Sequence, residues 1–210
     1  MAEVFVLYDG YSIMSANDEM TANCSCTLIK GVDNIIVDTM TAWDADKVLS
    51  GLKNYDLNPQ DINYVVSTHG HSDHIGNNNL FLNAKHIVGF SISFKDKYFM
   101  HRFEEGEEFV INNNVKVIAT PGHTLSDVSV LVTTNELETI AITGDLFERF
   151  EDIDDPKIWL EAGSEDPVKQ INNRSKIANL VEWIIPGHGN KFKVTDKVRD
   201  SLKKQLEDLS

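Results

Sequence analysis

Short apolar runs, separated by turn-forming residues, occur along most of the 210-residue chain. Their length and their content of β-branched side chains predict strands rather than helices. Residues 8–23 are polar, with a turn signal at Asp9-Gly10, and residues 91–103 are predicted to be irregular. The predicted strands are residues 4–7, 24–29, 35–37, 62–67, 86–89, 107–111, 115–119, 128–132, 139–142 and 183–185.

Apolar residues also recur at helical spacing in two segments, which predicts amphipathic helices that cover a sheet. The first follows a weak capping pattern formed by Thr41 and Asp44. Another helix is predicted from the start signal at Asp166 to about Leu180, and a short one is predicted to begin at Gly76. The apolar residues of the first and the last helix are Ala45, Val48, Leu49 and Leu52, and Val194, Val198, Leu202 and Leu206.

The composition is that of an acidic globular chain. Its 19 basic and 33 acidic residues give a formal charge of −14, which argues against broad binding to nucleic acid or to an anionic membrane but leaves a local basic patch open. No apolar run is long enough to cross a bilayer, and the first residues lack the pattern of a signal peptide. Cys24 and Cys26 are too close for a useful disulfide and predict ordinary thiols. We therefore expect one soluble, cytoplasmic domain over residues 1–210, without a membrane partner.

The most informative stretch is STHGHSDHIG, residues 67–76, which follows a predicted strand. The carboxyl ends of strands are common positions for active sites in α/β proteins. Its imidazoles and carboxylate suit a divalent cation such as zinc. In an extended loop His69, His71 and Asp73 can share one direction, whereas His74 points elsewhere. Two adjacent metals would therefore divide these four side chains more easily than one.

Further candidate ligands also follow predicted strands. Turns formed by Pro and Gly present His123 and His188, while Asp145 and Asp38 come after the strands 139–142 and 35–37. Together with the HxHxDH spacing, these positions resemble the signature of the metallo-β-lactamase superfamily. The resemblance implies an α+β fold, the four-layer αββα sandwich.

The same resemblance implies a role for each residue. The expected cofactor is a pair of Zn²⁺ ions, although the oxygen bridge also makes iron or manganese possible. Asp38 would support the metal-binding loop without binding the metal itself, and a turn or helix-capping role is the open alternative. The implied ligands are His69, His71 and His123 for the first metal, Asp73, His74 and His188 for the second, and Asp145 as the bridge.

The implied chemistry is hydrolysis. Asp145 stands where the best-studied lactamases carry a cysteine, which argues against a true β-lactamase and favours a hydrolase of thioesters or phosphodiesters. Two dications that share a water lower its pKa from 15.7 towards ~7 and stabilise negative charge on the substrate. Asp73 is the expected catalytic residue, which accepts the proton and later delivers it to the leaving group.

Four stretches, HGHSDHIGN, TPGH followed by DVSV, GDLFER and SEDP, resemble one member of the superfamily more closely. This implies a dizinc endoribonuclease that acts on the 3′ end of histone precursor mRNA, as a homodimer in cytosol and nucleus. The competing hypotheses are a glyoxalase II-like hydrolase of a thioester or lactone and a metal-binding regulatory protein without turnover, with an iron dioxygenase as a weaker fourth. Candidate substrate contacts are Arg149, unless an ion pair holds it, and Arg174, with Lys169, Lys176, Lys191 and Lys193 as further basic groups.

Overall fold

The computed structural model describes residues 2–17 and 19–209. The strands are β1 (Glu3–Tyr8), β2 (Tyr11–Met14), β3 (Met20–Asn23), β4 (Cys26–Lys30), β5 (Ile35–Val37), β6 (Tyr64–Ser67), β7 (Lys85–Val88), β8 (Ser91–Phe94), β9 (Lys97–Phe99), β10 (Phe109–Asn112), β11 (Val115–Ala119), β12 (Val128–Thr133), β13 (Thr139–Gly144), β14 (Trp183–Pro186) and β15 (Phe192–Lys193). The α-helices are α1 (Ala45–Lys53), α2 (Ser72–Ile75), α3 (Lys157–Glu161), α4 (Pro167–Leu180) and α5 (Asp196–Leu209). Within the described residues, no helix has both the length and the apolar character needed to cross a membrane.

Two mixed sheets and one separate hairpin make up the strand topology. The first sheet has the order β1-β4-β5-β6-β7-β8-β9, and the second runs from β10 to β15 in chain order. Strands β2 and β3 pair only with each other. The strands predicted from apolar runs thus fall into two sheets.

The central strands of both sheets are buried on both faces. Alternate side chains of a strand point to opposite sides, so each strand contributes to two apolar layers. In β5, Ile35 and Val37 enter the apolar layer between the sheets, while Ile36 packs under α1. In β14, Ile185 enters the layer between the sheets and Ile184 the layer under α4 and α5. Each such aliphatic side chain contributes roughly 1.5–3 kcal/mol on burial. The order of layers is helix, sheet, sheet, helix, which confirms the predicted αββα sandwich.

The directions of the strands decide where the loops emerge. Strands β5, β6 and β7 are parallel, and so are β13 and β14. Strand β11 runs the same way as β13, because both are antiparallel to β12. The two sheet edges meet through backbone hydrogen bonds from Val128 N to Thr68 O (2.9 Å) and from Ser25 N to Gly187 O (2.7 Å). The loops after β5, β6, β11, β13 and β14 therefore surround one region.

Two segments contain strands that the apolar pattern does not reveal. Residues 91–103, predicted to be irregular, contain β8 and β9, and the polar segment 8–23 contains β2 and β3. Strand β9 is exposed along its whole length at the sheet edge, and β2 and β3 are largely exposed. Strand β8 buries Ile92 in the core, whereas backbone pairing holds β2, β3 and β9 without a regular alternation of buried and exposed side chains.

The short helix near Gly76 ends at this residue rather than beginning there, so that prediction is wrong. Helix α2 spans Ser72–Ile75, and Gly76 follows it. A Cβ atom at Gly76 would collide with the backbone of residues 40–42. The next residue, Asn77, donates from Nδ2 to the carbonyl oxygens of Thr39 (2.6 Å) and Thr41 (2.7 Å). The glycine is needed for this close approach between two loops, not for a helix start.

Arg174 is not available to RNA, which corrects the prediction of a substrate contact. Its side chain is fully buried in α4 and donates to Asp152 Oδ1 (2.6 Å) and Oδ2 (3.0 Å) and to Leu146 O (2.9 Å). The guanidinium carbon lies 4.3 Å from the ring centre of Phe147 and 5.2 Å from that of Trp159. Arg174 thereby fixes the loop that follows β13. Its spacing on α4 did not distinguish a buried cation from an exposed one.

Asp152→Asn should destabilise the chain strongly, because it leaves the buried guanidinium of Arg174 without a counter-charge. Breaking one partner of a buried ion pair costs about 3–5 kcal/mol. The matched control is Asp154→Asn, since Asp154 forms an exposed pair with Lys197 at 3.5 Å that is worth about 0–1 kcal/mol. Urea unfolding of the metal-free protein measures both changes. Equal losses in the two variants would contradict the structural role of the buried pair.

Candidate metal centre

The loop after β6 is held in place by Asp38, which follows β5. The Asp38 carboxylate accepts hydrogen bonds from Thr68 N (2.8 Å) and Thr68 Oγ1 (3.0 Å), and it lies 3.0 Å from His74 Nδ1. Asp38 has a φ of 57°, in the left-handed region that residues with a side chain rarely adopt, and such strain is common at functional sites. These contacts orient His74, which is the supporting arrangement that the family resemblance implies.

Three histidines form the first ligand group. His69 Nε2 lies 2.8 Å from His71 Nδ1, and His123 Nε2 lies 3.1 Å from the same atom. Nitrogen ligands about 2.0–2.1 Å from a tetrahedral zinc ion are separated by about 3.3 Å. The three nitrogens are therefore spaced as the ligands of one small cation. His69 and His123 are buried, whereas His71 is exposed to the cavity.

The second ligand group consists of Asp73, His74 and His188. Asp73 Oδ2 lies 3.9 Å from His74 Nε2 and 3.8 Å from His188 Nε2. The Nδ1 atom of His188 lies 3.0 Å from the carbonyl oxygen of Asn23, so its proton occupies that side of the ring and leaves Nε2 free. This contact is the kind that fixes the tautomer of a metal-binding histidine.

Asp145 lies between the two groups. Its Oδ2 atom is 3.4 Å from His123 Nε2, 3.6 Å from His69 Nε2 and 3.3 Å from His188 Nε2. Its Oδ1 atom is 3.2 Å from His74 Nε2. One carboxylate thus faces both groups, as a bridging ligand does. A Cβ atom at Gly187 would overlap Asp145 Oδ1, so a glycine is required beside the bridge.

The polar atoms of the cluster fit cations better than they fit each other. Among the described residues, the buried atoms His74 Nε2 and Asp145 Oδ1 lie 3.2 Å apart but form no hydrogen bond of good geometry with each other or with another group. Buried polar atoms in this state are costly unless another ligand satisfies them. The donor set of imidazole nitrogens and carboxylate oxygens is the one that zinc, iron and manganese accept. The residues therefore fit the divalent metals of this type of site.

Burial and neighbouring charges shift the pKa values of the clustered residues in different directions. Burial and the neighbouring imidazole of His74 lower the pKa of His69, which keeps its lone pair available. Burial alone would lower the pKa of His188, but Asp145 outweighs it and raises that pKa to about 9. Burial opposes ionisation of Asp145, yet His74 and His188 hold its pKa well below the usual range. Metal binding at the second group therefore releases protons.

The pattern of apolar runs and ligand spacings gave no role to Asp127, which shapes the loop of His123. The buried Asp127 carboxylate accepts from Gly122 N (3.1 Å), Thr124 N (2.6 Å) and Thr124 Oγ1 (2.7 Å). These three bonds close a tight turn around His123. The signal in the sequence is an Asp four residues after a histidine that follows a Pro-Gly pair.

Glu148 is a second residue to which no role was given. It is 3% exposed, and one of its carboxylate oxygens lies within 4.8 Å of ligand atoms of Asp145 and His188. Burial and the charge of Asp145 raise the pKa of Glu148 to about 8. The candidate Arg149 lies beside it, partly exposed, where Nη1 donates to Ser12 O (3.0 Å) and Nε lies 3.9 Å from Glu151.

A cavity of about 360 Å³ opens onto the cluster. It shares Ser12, Met20, Glu148 and Ala162 with a neighbouring cavity of about 260 Å³ that reaches Arg149. The two cavities form one groove from the metal ligands to the outer face of the β2–β3 hairpin. The other histidines, His86 and His101, contact the backbone oxygens of Phe81 and Glu107 and lie outside the cluster.

The chain belongs to the metallo-β-lactamase superfamily, whose family model matches residues 21–204. It is similar to metallo-β-lactamase domain-containing protein 1 of Xenopus laevis, with 42% identity over 193 residues, which cover 91% of this chain and 81% of that protein. The matched regions cover 65% and 59% of the mouse and human proteins of the same name. An N-acyl homoserine lactonase of Bacillus sp. is 28% identical over 126 residues, 54% of this chain and 49% of the lactonase.

A solved structure of an N-acyl homoserine lactone hydrolase, with N-hexanoyl-L-homoserine at its catalytic metal centre, is similar to the chain in fold. The TM-score is 0.60 at 16% identity, and the match covers 90% of this chain and 92% of that one. The likeness shows that the αββα scaffold is shared. The superfamily consists generally of metal-dependent hydrolases.

The two ligand groups predict about two metal ions per chain when the protein is purified without added metal, measured by elemental analysis. His188→Ala should reduce the content to about one, because the first group remains complete. His86→Ala is the matched control and should keep both metals, since His86 lies outside the cluster. A content of one metal that His188→Ala leaves unchanged would contradict the division into two groups.

Proposed function

We propose that the chain is a two-metal hydrolase with Asp145 as the bridging ligand. The observation that carries the proposal is the position of the Asp145 carboxylate, 3.2–3.6 Å from imidazole nitrogens of both ligand groups. When bound, two divalent cations supply a lowered pKa for water and polarise the bond to be cleaved. Two zinc ions are the proposed cofactor, and the oxygen bridge also accommodates manganese or iron.

The protein side chains then have distinct tasks. His69, His71 and His123 would hold the first cation, and Asp73, His74 and His188 would hold the second. Asp73 is the partly exposed carboxylate of the set, and it lines the cavity through which substrate enters. In this proposal its free oxygen accepts a proton from the attacking water and returns it to the leaving group. Its position on the short helix α2, rather than in a sheet, separates this role from the stability of the fold.

Asp73→Asn should lower turnover by about 100-fold or more, since an amide neither accepts this proton nor binds the metal as a carboxylate does. The thermal unfolding of the metal-free protein should stay near that of the wild type. The comparison variant is Asp61→Asn, which alters a carboxylate outside the site. A folded Asp73→Asn protein with near-normal turnover would remove Asp73 from the reaction.

The first candidate substrate is RNA, cleaved endonucleolytically as in histone precursor mRNA processing. The support is the resemblance of four stretches to one member of the superfamily. These stretches are HGHSDHIGN, TPGH followed by DVSV, GDLFER and SEDP. The groove also contains two cationic residues, Arg149 and Lys157, that could contact backbone phosphates. Arg149 is held by Ser12 O and Glu151, and the same cavity is lined by Glu148, Asp155 and Glu161. A homodimer located in cytoplasm and nucleus belongs to the same proposal.

A second candidate, hydrolysis of a lactone or thioester with an apolar acyl chain, is favoured by the rim of the same groove. Met14 and Met20 of the β2–β3 hairpin line it and are 67% and 58% exposed. Thioether side chains adapt to apolar ligands of varied shape. The relatives that are named as N-acyl homoserine lactonases act on a substrate of this type.

Salt dependence separates the two candidates. Metal-loaded protein should cut single-stranded RNA at low salt and lose most of that activity at moderate salt, because phosphate contacts release counterions. Lys157→Glu should weaken cutting further at unchanged metal content. Lys193→Glu is the control, since its ammonium lies over Trp183 away from the groove. If the protein leaves RNA intact at low salt but hydrolyses an N-acyl homoserine lactone or a thioester, the second candidate replaces the first.

A further inference from the structure

Glu148 occupies a fixed position at the floor of the groove. Its backbone nitrogen donates to Asp152 Oδ2 (2.8 Å), and its carbonyl oxygen accepts from His188 N (2.8 Å). The first bond ties it to the buried pair of Asp152 and Arg174, and the second ties it to a metal ligand. The side chain thus starts from a backbone that both neighbours hold, and it lines the same cavity as Asp73, Asp145 and His188.

Glu148 is a buried residue whose side chain lines the cavity wall. It is 97% buried, and within residues 2–17 and 19–209 it accepts no hydrogen bond from a side chain or backbone and forms no ion pair. The nearby guanidinium groups are engaged elsewhere, Arg174 with Asp152 and Arg149 with Ser12 O and Glu151. A cation on this side of the cavity would compensate the hydration that the carboxylate loses on burial.

The neighbours of that carboxylate point to which cation. One oxygen of Glu148, one oxygen of Asp145 and one nitrogen of His188 all lie within 4.8 Å of one another. Asp145 and His188 are already assigned to the metal centre. Glu148 therefore faces the second ligand group and not a separate site.

We propose that Glu148 is an eighth ligand of the metal centre, a carboxylate that binds the cation of the second group from the side where Asp145 and His188 lie. The inference rests on the proposed two-metal function and makes it more specific. Around Glu148 the donors are two carboxylates and one imidazole, whereas the first group has three imidazoles and the bridge. Carboxylate oxygen favours harder cations, so the second position should accept manganese more readily than the first.

The test is a metal titration of chelator-stripped protein against a competing chelator, with Mn²⁺ and Zn²⁺ in turn. Glu148→Gln keeps the size of the side chain and removes its charge, and it should weaken binding of the second cation by about 10-fold or more. Glu151→Gln is the matched control in the same loop and should bind as the wild type does. Glu148→Asp keeps a carboxylate with a shorter reach and should retain part of the affinity.

Two further readouts do not depend on activity. The metal-free Glu148→Gln protein should unfold at the same temperature as the wild type or higher, because the amide lacks the negative charge that burial and the charge of Asp145 disfavour. The rise in unfolding temperature on adding Mn²⁺ should be smaller in this variant than in the Glu151→Gln control. In the Co²⁺-loaded protein, loss of a ligand should change the visible absorption of the second ion.

Unchanged metal affinity in Glu148→Gln overturns the proposal. A loss of affinity with an unaltered Co²⁺ spectrum also overturns it, because Glu148 would then act on the metal electrostatically without binding it. Failure of the two-metal function has a different signature, a wild-type protein that saturates at one metal. In that case the assignment of Glu148 still depends on whether Glu148→Gln weakens this single metal. If Glu148→Gln does not fold, Glu148→Asp decides by the same titration and spectrum.

Discussion

The carboxylate of Asp145 is the point on which the rest of the structure depends. It is buried, and imidazole nitrogens of His69, His74, His123 and His188 lie 3.2–3.6 Å from its oxygens. So many polar groups in a dry region are stable only if every one is oriented and the whole cluster is neutralised. The scaffold supplies the orientation, and divalent cations are the groups that satisfy the remaining lone pairs.

Loops from both sheets and helix α4 orient the side chains of the cluster. Asp38 fixes the loop after β6, Asp127 closes the turn that presents His123, and Gln170 on α4 donates from Nε2 to the carbonyl oxygen of Asp145 (3.0 Å). Behind Gln170, the buried pair of Arg174 and Asp152 holds the segment from Leu146 to Glu148. The helix layer therefore acts on the site directly, because α4 touches the backbone of the bridging residue and of its neighbours.

The sequence predicted much of this arrangement for a physical reason. Ligands such as His69 and Asp145 follow apolar runs, so the sequence predicts that each lies at the carboxyl end of a strand. The two residues belong to different sheets, and the packing of the sheets brings these strand ends together. The edge strand β9 escaped prediction because backbone pairing holds it without a buried face. Arg174 was misassigned because its partner Asp152 lies in a distant loop. Glu148 has no role in the ligand signature, and only the fold shows that its carboxylate is buried beside His188.

The central claim is that one carboxylate joins two metal positions, and anomalous X-ray diffraction from crystals grown with zinc or manganese tests it most directly. The account predicts two anomalous peaks about 3.5–4 Å apart, on opposite sides of the Asp145 carboxylate. One peak should lie among His69, His71 and His123, and the other beside Asp73, His74 and His188. A single peak in fully loaded crystals, or a second peak that Asp145 does not contact, would contradict the account.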